Sequence, residues 1–220
     1  MNIFYRILFC VIAVCVPVVT ILSGFNIVFR MPDLYVYEFN KNQTTKEVEL
    51  GITNDELGEF FSDYMMGKEK ELNLLVEYRD RERPVFGAVE KLNMENAREL
   101  LNNSLFVLGG ALILGVAGCG VFLAKKKKYE LRGAFKAGIL VQTLALIACS
   151  FALYFDQPRS FLYHKIFTSA FGADDVLPLM LTKEYAQLSV AAASAVSIVL
   201  LVILVSVVWR LTKPRRMFYN

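Results

Sequence analysis

Residues 105–124 read LFVLGGALILGVAGCGVFLA, and KKKK follows at once at 125–128. Twenty uncharged residues are about what a helix rising 1.5 Å per residue needs to cross a hydrocarbon core of about 30 Å. Three other stretches carry no charge and serve as well: Ile7–Phe29, Gly138–Phe155 and Leu188–Trp209. With 55% hydrophobic residues and a mean hydropathy of +0.44, this 220-residue chain gathers its apolar residues into four blocks. A soluble domain would spread them in periodic stripes. The fold expected is an all-α membrane bundle of four transmembrane helices with a small α+β extracellular cap.

The first apolar block follows Arg6, as a signal peptide would, but it is too long for a signal h-region and no small-residue cleavage site follows. Phe9 and Val14 stand where a lipobox before Cys10 or Cys15 would need a small residue. A retained anchor helix is expected. Charge then orients the bundle. Arg6, Lys125, Lys126, Lys127, Lys128, Arg132, Lys136, Arg210, Lys213, Arg215 and Arg216 lie on one side, against the single carboxylate Glu130. The loop 156–187 offers only Arg159, Lys165 and Lys183 as cations, and 30–104 holds sixteen acidic and ten basic residues. The positive-inside rule puts both termini in the cytoplasm of a bacterial plasma-membrane protein. The expected order is transmembrane helix 1 (1–29), extracellular cap (30–104), helix 2 (105–124), cytoplasmic loop (125–137), helix 3 (138–155), extracellular loop (156–187), helix 4 (188–209) and cytoplasmic tail (210–220).

Cys10, Cys15, Cys119 and Cys149 all fall in apolar spans, so no disulfide framework is expected in the exported loop. Pro17 and Gly24 make a kink in the first span plausible. Gly109, Gly110, Gly115, Gly118 and Gly120 in the second span, and the pairs Ala191/Ala195 and Ala193/Ser197 in the fourth, are small residues that let helix backbones approach. Gln142 is the only strongly polar side chain near a midplane. Proton and ion transporters place ionisable groups there, which argues against transport. No phosphate loop, zinc-ligand cluster or Ser/His/Asp set is visible, so no cofactor or metal is expected. Lys125–Lys128 reads as a stop-transfer run and a contact for anionic membrane lipids, in preference to a nucleic-acid patch.

In the segment 30–104, the aromatic run Leu34-Tyr35-Val36-Tyr37-Glu38-Phe39 has β propensity. Thr53-Asn54-Asp55-Glu56 is a capping box, opening a helix with the stripe Leu57, Phe60, Phe61, Tyr64, Met65 and ending at Gly67. Leu72–Tyr78 is expected to be a strand, and Asn93–Asn103 a second helix leading toward the second span. About 75 residues can form a small cap if it leans on the membrane or the helices for burial. In the second outer loop Phe161, Tyr163, Phe167 and Phe171 read first as an interfacial anchoring belt.

His164 is the sole histidine and lies in that aromatic loop. A lone interfacial histidine is more often a hydrogen-bonded surface residue than a catalyst. Imidazole nonetheless takes and gives a proton near neutrality.

Taken in order, these segments resemble the bacterial lipoprotein intramolecular transacylase (Lit) family. The resemblance rests on Tyr35-Val36-Tyr37-Glu38-Phe39 after the first span and on Gly51-Ile52-Thr53-Asn54-Asp55-Glu56-Leu57 at the entry to a helix. It continues with Glu90-Lys91-Leu92-Asn93-Met94-Glu95-Asn96-Ala97 before the second span, then Phe161-Leu162-Tyr163-His164 and Asp175-Val176-Leu177, both before the last span. It implies transfer of the sn-2 acyl chain of a diacylglyceryl lipoprotein to the amine of its N-terminal cysteine, with membrane lipids and lipoprotein N-termini as partners. It also implies a catalytic pair at His164 and Asn93, with Glu90, Tyr35, Tyr37, Phe161, Tyr163 and Phe167 against substrate. Asn93 stands where the family has its first histidine, and Asn96 where it has an aspartate. Asn has no useful pKa, so it can polarise an ester but not act as a base. The bland reading of Asn93 is an N-cap. The alternative function is a non-catalytic relative that binds lipidated N-termini or lipid headgroups.

Overall fold

The computed structural model describes residues 2–47, 51–78, 81–172 and 175–213. Of the cations counted above, Arg215 and Arg216 lie outside these residues. The elements in chain order are α1 (Ile3–Val28), α2 (Pro32–Asn42), α3 (Thr44–Glu47), α4 (Asn54–Met66), β1 (Leu75–Tyr78), β2 (Arg81–Pro84), α5 (Ala88–Ala124), α6 (Lys128–Tyr154), α7 (Asp156–Ile166), α8 (Leu177–Met180) and α9 (Lys183–Leu211). Four helices, α1, α5, α6 and α9, are long and apolar enough to cross a membrane. On α5, Phe106, Ile113 and Val116 are 80%, 72% and 69% exposed. An apolar surface of that kind is at home in lipid and not in water. The chain is a multi-pass, predominantly helical membrane protein with one two-stranded sheet among the described residues.

One compact unit is drawn from Met1–Gly24, Leu105–Cys149 and Ser194–Asn220. Its core joins Ile12 and Val16 of α1, Phe122 of α5, Leu131, Ala134 and Phe135 of α6, and Leu201 and Val208 of α9. Glycines set the helix approach. A methyl at Gly118 would fall 3.0 Å from Ile12 Cγ1, and one at Gly138 would fall 3.0 Å from Val16 Cβ and 3.3 Å from the Ala13 carbonyl. Gly109, Gly110 and Gly120 face open space. On α9 the Ala193/Ser197 face is buried and the Ala191/Ala195 face is exposed. Gln142 is fully buried. Thr20 Oγ1 lies 2.7 Å from its Oε1, and its Nε2 donates to the Ser197 carbonyl at 3.3 Å, so one amide links α1, α6 and α9. In lipid no water would take over those bonds, and each is worth about 1 kcal/mol.

The turn from α5 into α6 has a specific geometry. Lys127 N donates to Phe122 O and Lys126 N to Leu123 O, with Lys126 at φ 56°. This is a Schellman closure with lysine in the left-handed position that glycine usually fills.

The second unit is Phe25–Ser104 with Ser150–Ala193. Here the expected strand at 34–39 is corrected: those residues lie in helix α2. Pro32 at the first helical position and Asp33 in the first turn start it, and the left-handed Gln43 at φ 50° ends it. Leu34, Tyr35, Glu38 and Phe39 are its buried residues, a helical spacing that outweighs the β propensity of the aromatics. α4 begins at the capping box, with Thr53 N donating to Glu56 Oε2 at 2.8 Å and Glu56 N to Thr53 Oγ1 at 3.2 Å. It closes at Gly67, φ 81°. The strand expected at 72–78 is shorter, Leu75–Tyr78, and pairs antiparallel with β2, so that Val76 faces Arg83. α5 begins at Ala88, so Asn93 stands in its second turn and is not an N-cap. The core of this unit stacks Tyr35 on Phe61 at 5.7 Å and on Tyr185 at 5.7 Å, and Phe61 meets Phe86 edge-on.

α2 and α4 touch through Gly58. A Cβ there would lie 2.9 Å from Val36 N and 3.2 Å from Val36 Cα, atoms that a rotamer change cannot move. Gly58→Ala should therefore destabilise this unit by about 1–3 kcal/mol, despite the better helix propensity of alanine. Faster hydrogen exchange of the α4 amides, in detergent-solubilised protein, is the expected readout.

Candidate functional site

The polar residues expected in the site sit mainly on one face of the first turns of α5. Glu90 is the third residue of the helix. Its Oε2 accepts from Gly87 N at 2.6 Å, which is the backbone half of a capping box. Its Oε1 accepts from Leu177 N at 2.6 Å, which ties the start of α8 to α5. Asn93, one turn on, donates from Nδ2 to the Ser169 carbonyl at 2.9 Å and accepts on Oδ1 from the Ser169 amide at 3.0 Å. Asn96, another turn on, donates to Thr168 Oγ1 at 2.8 Å. Glu90 and Asn93 are 1% and 0% exposed. Gly172 N donates to Asp175 Oδ2 at 2.6 Å and shapes the same stretch. Residues three apart on a helix share a face, and this face holds the chain on either side of 173–174.

Asparagine suits the Ser169 position because it alone, with Gln, presents one donor and one acceptor in a plane, matching both polar groups of a residue's main chain. A carboxylate at 93 would oppose the Ser169 carbonyl. At 90 the demand is reversed: two N–H donors converge, and a carboxylate accepts both.

His164 is exposed on α7 and, among the described residues, the Tyr163 ring stands edge-on to its ring at 6.5 Å. The hydrogen bonds of Glu90 and Asn93 go to backbone, and among the described residues neither side chain bonds the imidazole. Tyr163 lies half-buried against Phe167 at 4.7 Å and Phe171 at 6.2 Å, and Phe167 meets Phe171 at 5.5 Å. Burial in this cluster pushes the Tyr163 hydroxyl above its ordinary pKa. Phe161 is exposed, with Lys165 Nζ 5.7 Å from its ring centre. His164, Phe161, Tyr163 and Phe167 thus belong to one aromatic segment. Tyr35 and Tyr37, although two apart, diverge: Tyr37 is exposed, and Tyr35 is buried with its hydroxyl donating to Phe29 O at 2.9 Å.

Sequence reasoning passed over two groups. Arg30 lies just after α1, and its guanidinium donates to the Asn26 and Asn102 side chains at 2.8 Å each and to Met65 O at 3.4 Å, while its carbonyl accepts from Ser62. Glu38 is fully buried on α2. Asn42 Nδ2 bonds its Oε1 at 3.1 Å, and the Lys41 ammonium is 3.8 Å from an Oε2 that accepts no hydrogen bond. The helical spacing of α2 is the signal that would have located it. Among the described residues, no three His, Cys, Asp or Glu side chains gather as a metal site would require.

Four apolar helices long enough to cross a membrane define an integral membrane protein. The sequence matches the family model of lipoprotein intramolecular transacylase Lit over residues 10–174, and the chain belongs to that family. Solved structures of the Bacillus cereus lipoprotein intramolecular transacylase Lit share its fold. A variant of that protein with one histidine replaced by arginine matches at a TM-score of 0.73 and 17% identity, covering 98% of this chain and 95% of the other. A second structure of it matches at 0.72 and 18%, covering 97% and 98%. Comparison with curated protein sequences gave no match.

Two predictions follow from the residues described. Glu90→Gln would set an amide NH₂ against one of two buried backbone N–H groups. A loss of about 1–3 kcal/mol is expected, seen as faster exchange of the Leu177 amide. Burial pushes the Tyr35 hydroxyl up to about 12, outweighing the lowering by its hydrogen bond to Tyr185. The folded chain therefore holds this proton more tightly than the unfolded chain. The stabilisation, about 2–3 kcal/mol, is complete below pH about 10 and lost as pH rises from there through about 12. Alkaline unfolding followed by circular dichroism should show this slope, reduced by about one proton in Tyr35→Phe.

Proposed function

We propose that this protein acts on the diacylglyceryl-modified N-terminus of lipoproteins at the outer face of the bacterial plasma membrane, moving the sn-2 acyl chain to the cysteine amine. Family membership supports the reaction class, and the observation that carries the assignment to this chain is His164. It is the one imidazole present, solvent-exposed, beside the aromatic cluster of Tyr163, Phe167 and Phe171. The uneven charge of the loops supports cytoplasmic termini.

In the proposed reaction the neutral α-amine attacks the carbonyl carbon of the sn-2 ester, and His164 removes a proton from the attacking nitrogen. The tetrahedral intermediate then collapses, breaking the bond from carbonyl carbon to glyceryl oxygen. That oxygen takes the proton back from the imidazolium. An ester bond is exchanged for an amide, with no atom gained or lost. A single imidazole can serve as base and then as acid, because the two transfers are sequential. Both reacting groups belong to one molecule, so most of the catalytic advantage comes from holding them together. Phe161, Tyr163 and Phe167, together with Tyr37, would shield the acyl chain and glyceryl group from water. Asn93 would polarise the ester only if it released Ser169, and Glu90 and Tyr35 would support the site from the core.

A second reading is favoured by that engagement of Asn93: a non-catalytic relative that binds lipidated N-termini through the same aromatic segment. A reporter lipoprotein co-expressed with this protein, in a host without such a transacylase, separates the two. Transfer leaves total mass unchanged, so the N-terminal lipopeptide is fragmented to locate each acyl chain. An acylated amine, reduced at least 100-fold in His164→Ala, is the expected result. An amine that is free with the native protein and acylated only with Asn93→His would favour the binding reading. A free amine with both versions would overturn the enzymatic one.

A further inference from the structure

The head of α6 carries positive charge that the proposed reaction does not use. Of the cations there, Lys127 is committed: its ammonium is 3.1 Å from Glu130 Oε1 and 4.3 Å from the centre of the Tyr5 ring. Lys128 and Arg132 are one helical turn apart on α6, and among the described residues neither meets a carboxylate. Arg132 is held in a fixed pose. Its Nε donates to Thr212 Oγ1 at 2.7 Å, its Nη2 to Trp209 O at 3.4 Å, and its plane lies 5.7 Å from the Trp209 ring. The buried Thr212 hydroxyl spends its own proton on Val208 O at 2.7 Å, so it can only accept from Arg132. Among the described residues Nη1 of the guanidinium makes no such bond. Lys128, Tyr129, Arg132 and Thr212 together line a cavity of about 60 Å³.

A positioned guanidinium, an unneutralised ammonium and an exposed tyrosine around one small cavity match the chemistry of a phosphate monoanion. The α6 amides at Lys128, Tyr129 and Glu130 precede the first helical hydrogen bond and add positive potential of the same sign. Tyr129 is 84% exposed at the end of a membrane-spanning helix, where its ring sits among headgroups. We propose that this cavity binds the headgroup phosphate of one anionic phospholipid, in the leaflet that meets the Lys125–Lys128 run. The lipid source is favoured over free phosphate because the cavity lies at the ends of the membrane-length helices α6 and α9, and the last turns of α9 carry the exposed apolar side chains Val207 and Leu211.

Native mass spectrometry of the full-length protein, delipidated in detergent and titrated with phosphatidylglycerol or phosphatidylcholine, tests this. One retained phosphatidylglycerol per chain is expected, with phosphatidylcholine retained far less. Lys128→Gln should weaken retention about fivefold, and Arg132→Gln at least as much. Lys125→Gln, outside the cavity, should change it less than twofold. Because Arg132 also fastens the end of α9, Lys128→Gln is the deciding variant, and its melting temperature without lipid should equal that of the native protein. Equal retention of both lipids, or no change in Lys128→Gln, would overturn the site. Displacement of the lipid by equimolar glycerol 3-phosphate would overturn the lipid source.

Discussion

A single carboxylate, Glu90, accepts from two backbone amides that are 90 residues apart in sequence, Gly87 and Leu177. Within the second unit that convergence ties the start of α8 to the first turn of α5. Residues 167–172 and 175–176 have little regular structure to satisfy their own backbone, and buried N–H and C=O groups without partners are costly. α5 supplies partners at three successive turns: Glu90 takes the Leu177 amide, Asn93 takes both polar groups of the Ser169 backbone, and Asn96 bonds the Thr168 hydroxyl. The aromatic segment containing His164 is thereby anchored at its C-terminal end by side chains of a helix whose own geometry is regular.

In the other unit the solvent imposes the constraint. Lipid cannot hydrogen-bond, so helices carry the backbone, and specificity between helices falls to close approach and to a few satisfied polar groups. Gly118 and Gly138 supply the approach. Gln142 supplies the polar link, with Thr20 and Ser197 as its partners. No ionisable side chain is required among these contacts.

The spans were legible because about twenty uncharged residues in a row have few other uses, and the capping box at Thr53–Glu56 was legible because it is local. Helix α2 was not. Its aromatic run favours a strand residue by residue, and only the burial of Leu34, Tyr35, Glu38 and Phe39 on one face reverses that preference. The site divided along the same line. The aromatic company of His164 lies within one stretch of sequence and could be read there. The bonds of Asn93 to Ser169 and of Glu90 to Leu177 join positions 76 and 87 residues apart, and no local pattern encodes them. Asn93 was for the same reason mistaken for a helix cap: the boundary is set at Gly87 by a carboxylate that was itself read as part of a site.

Lys126 occupies a left-handed position that would be about 1 kcal/mol easier for glycine. A glycine would relax the turn, and it would also remove one charge from a run of four lysines, the kind of run whose placement biases the direction in which a helix inserts. The two demands act at different times. Direction of insertion is decided once, while the chain is being made, and afterwards is kinetically locked. Turn strain is felt for the lifetime of the folded protein. At this one residue the turn keeps a charge where the backbone alone would favour glycine.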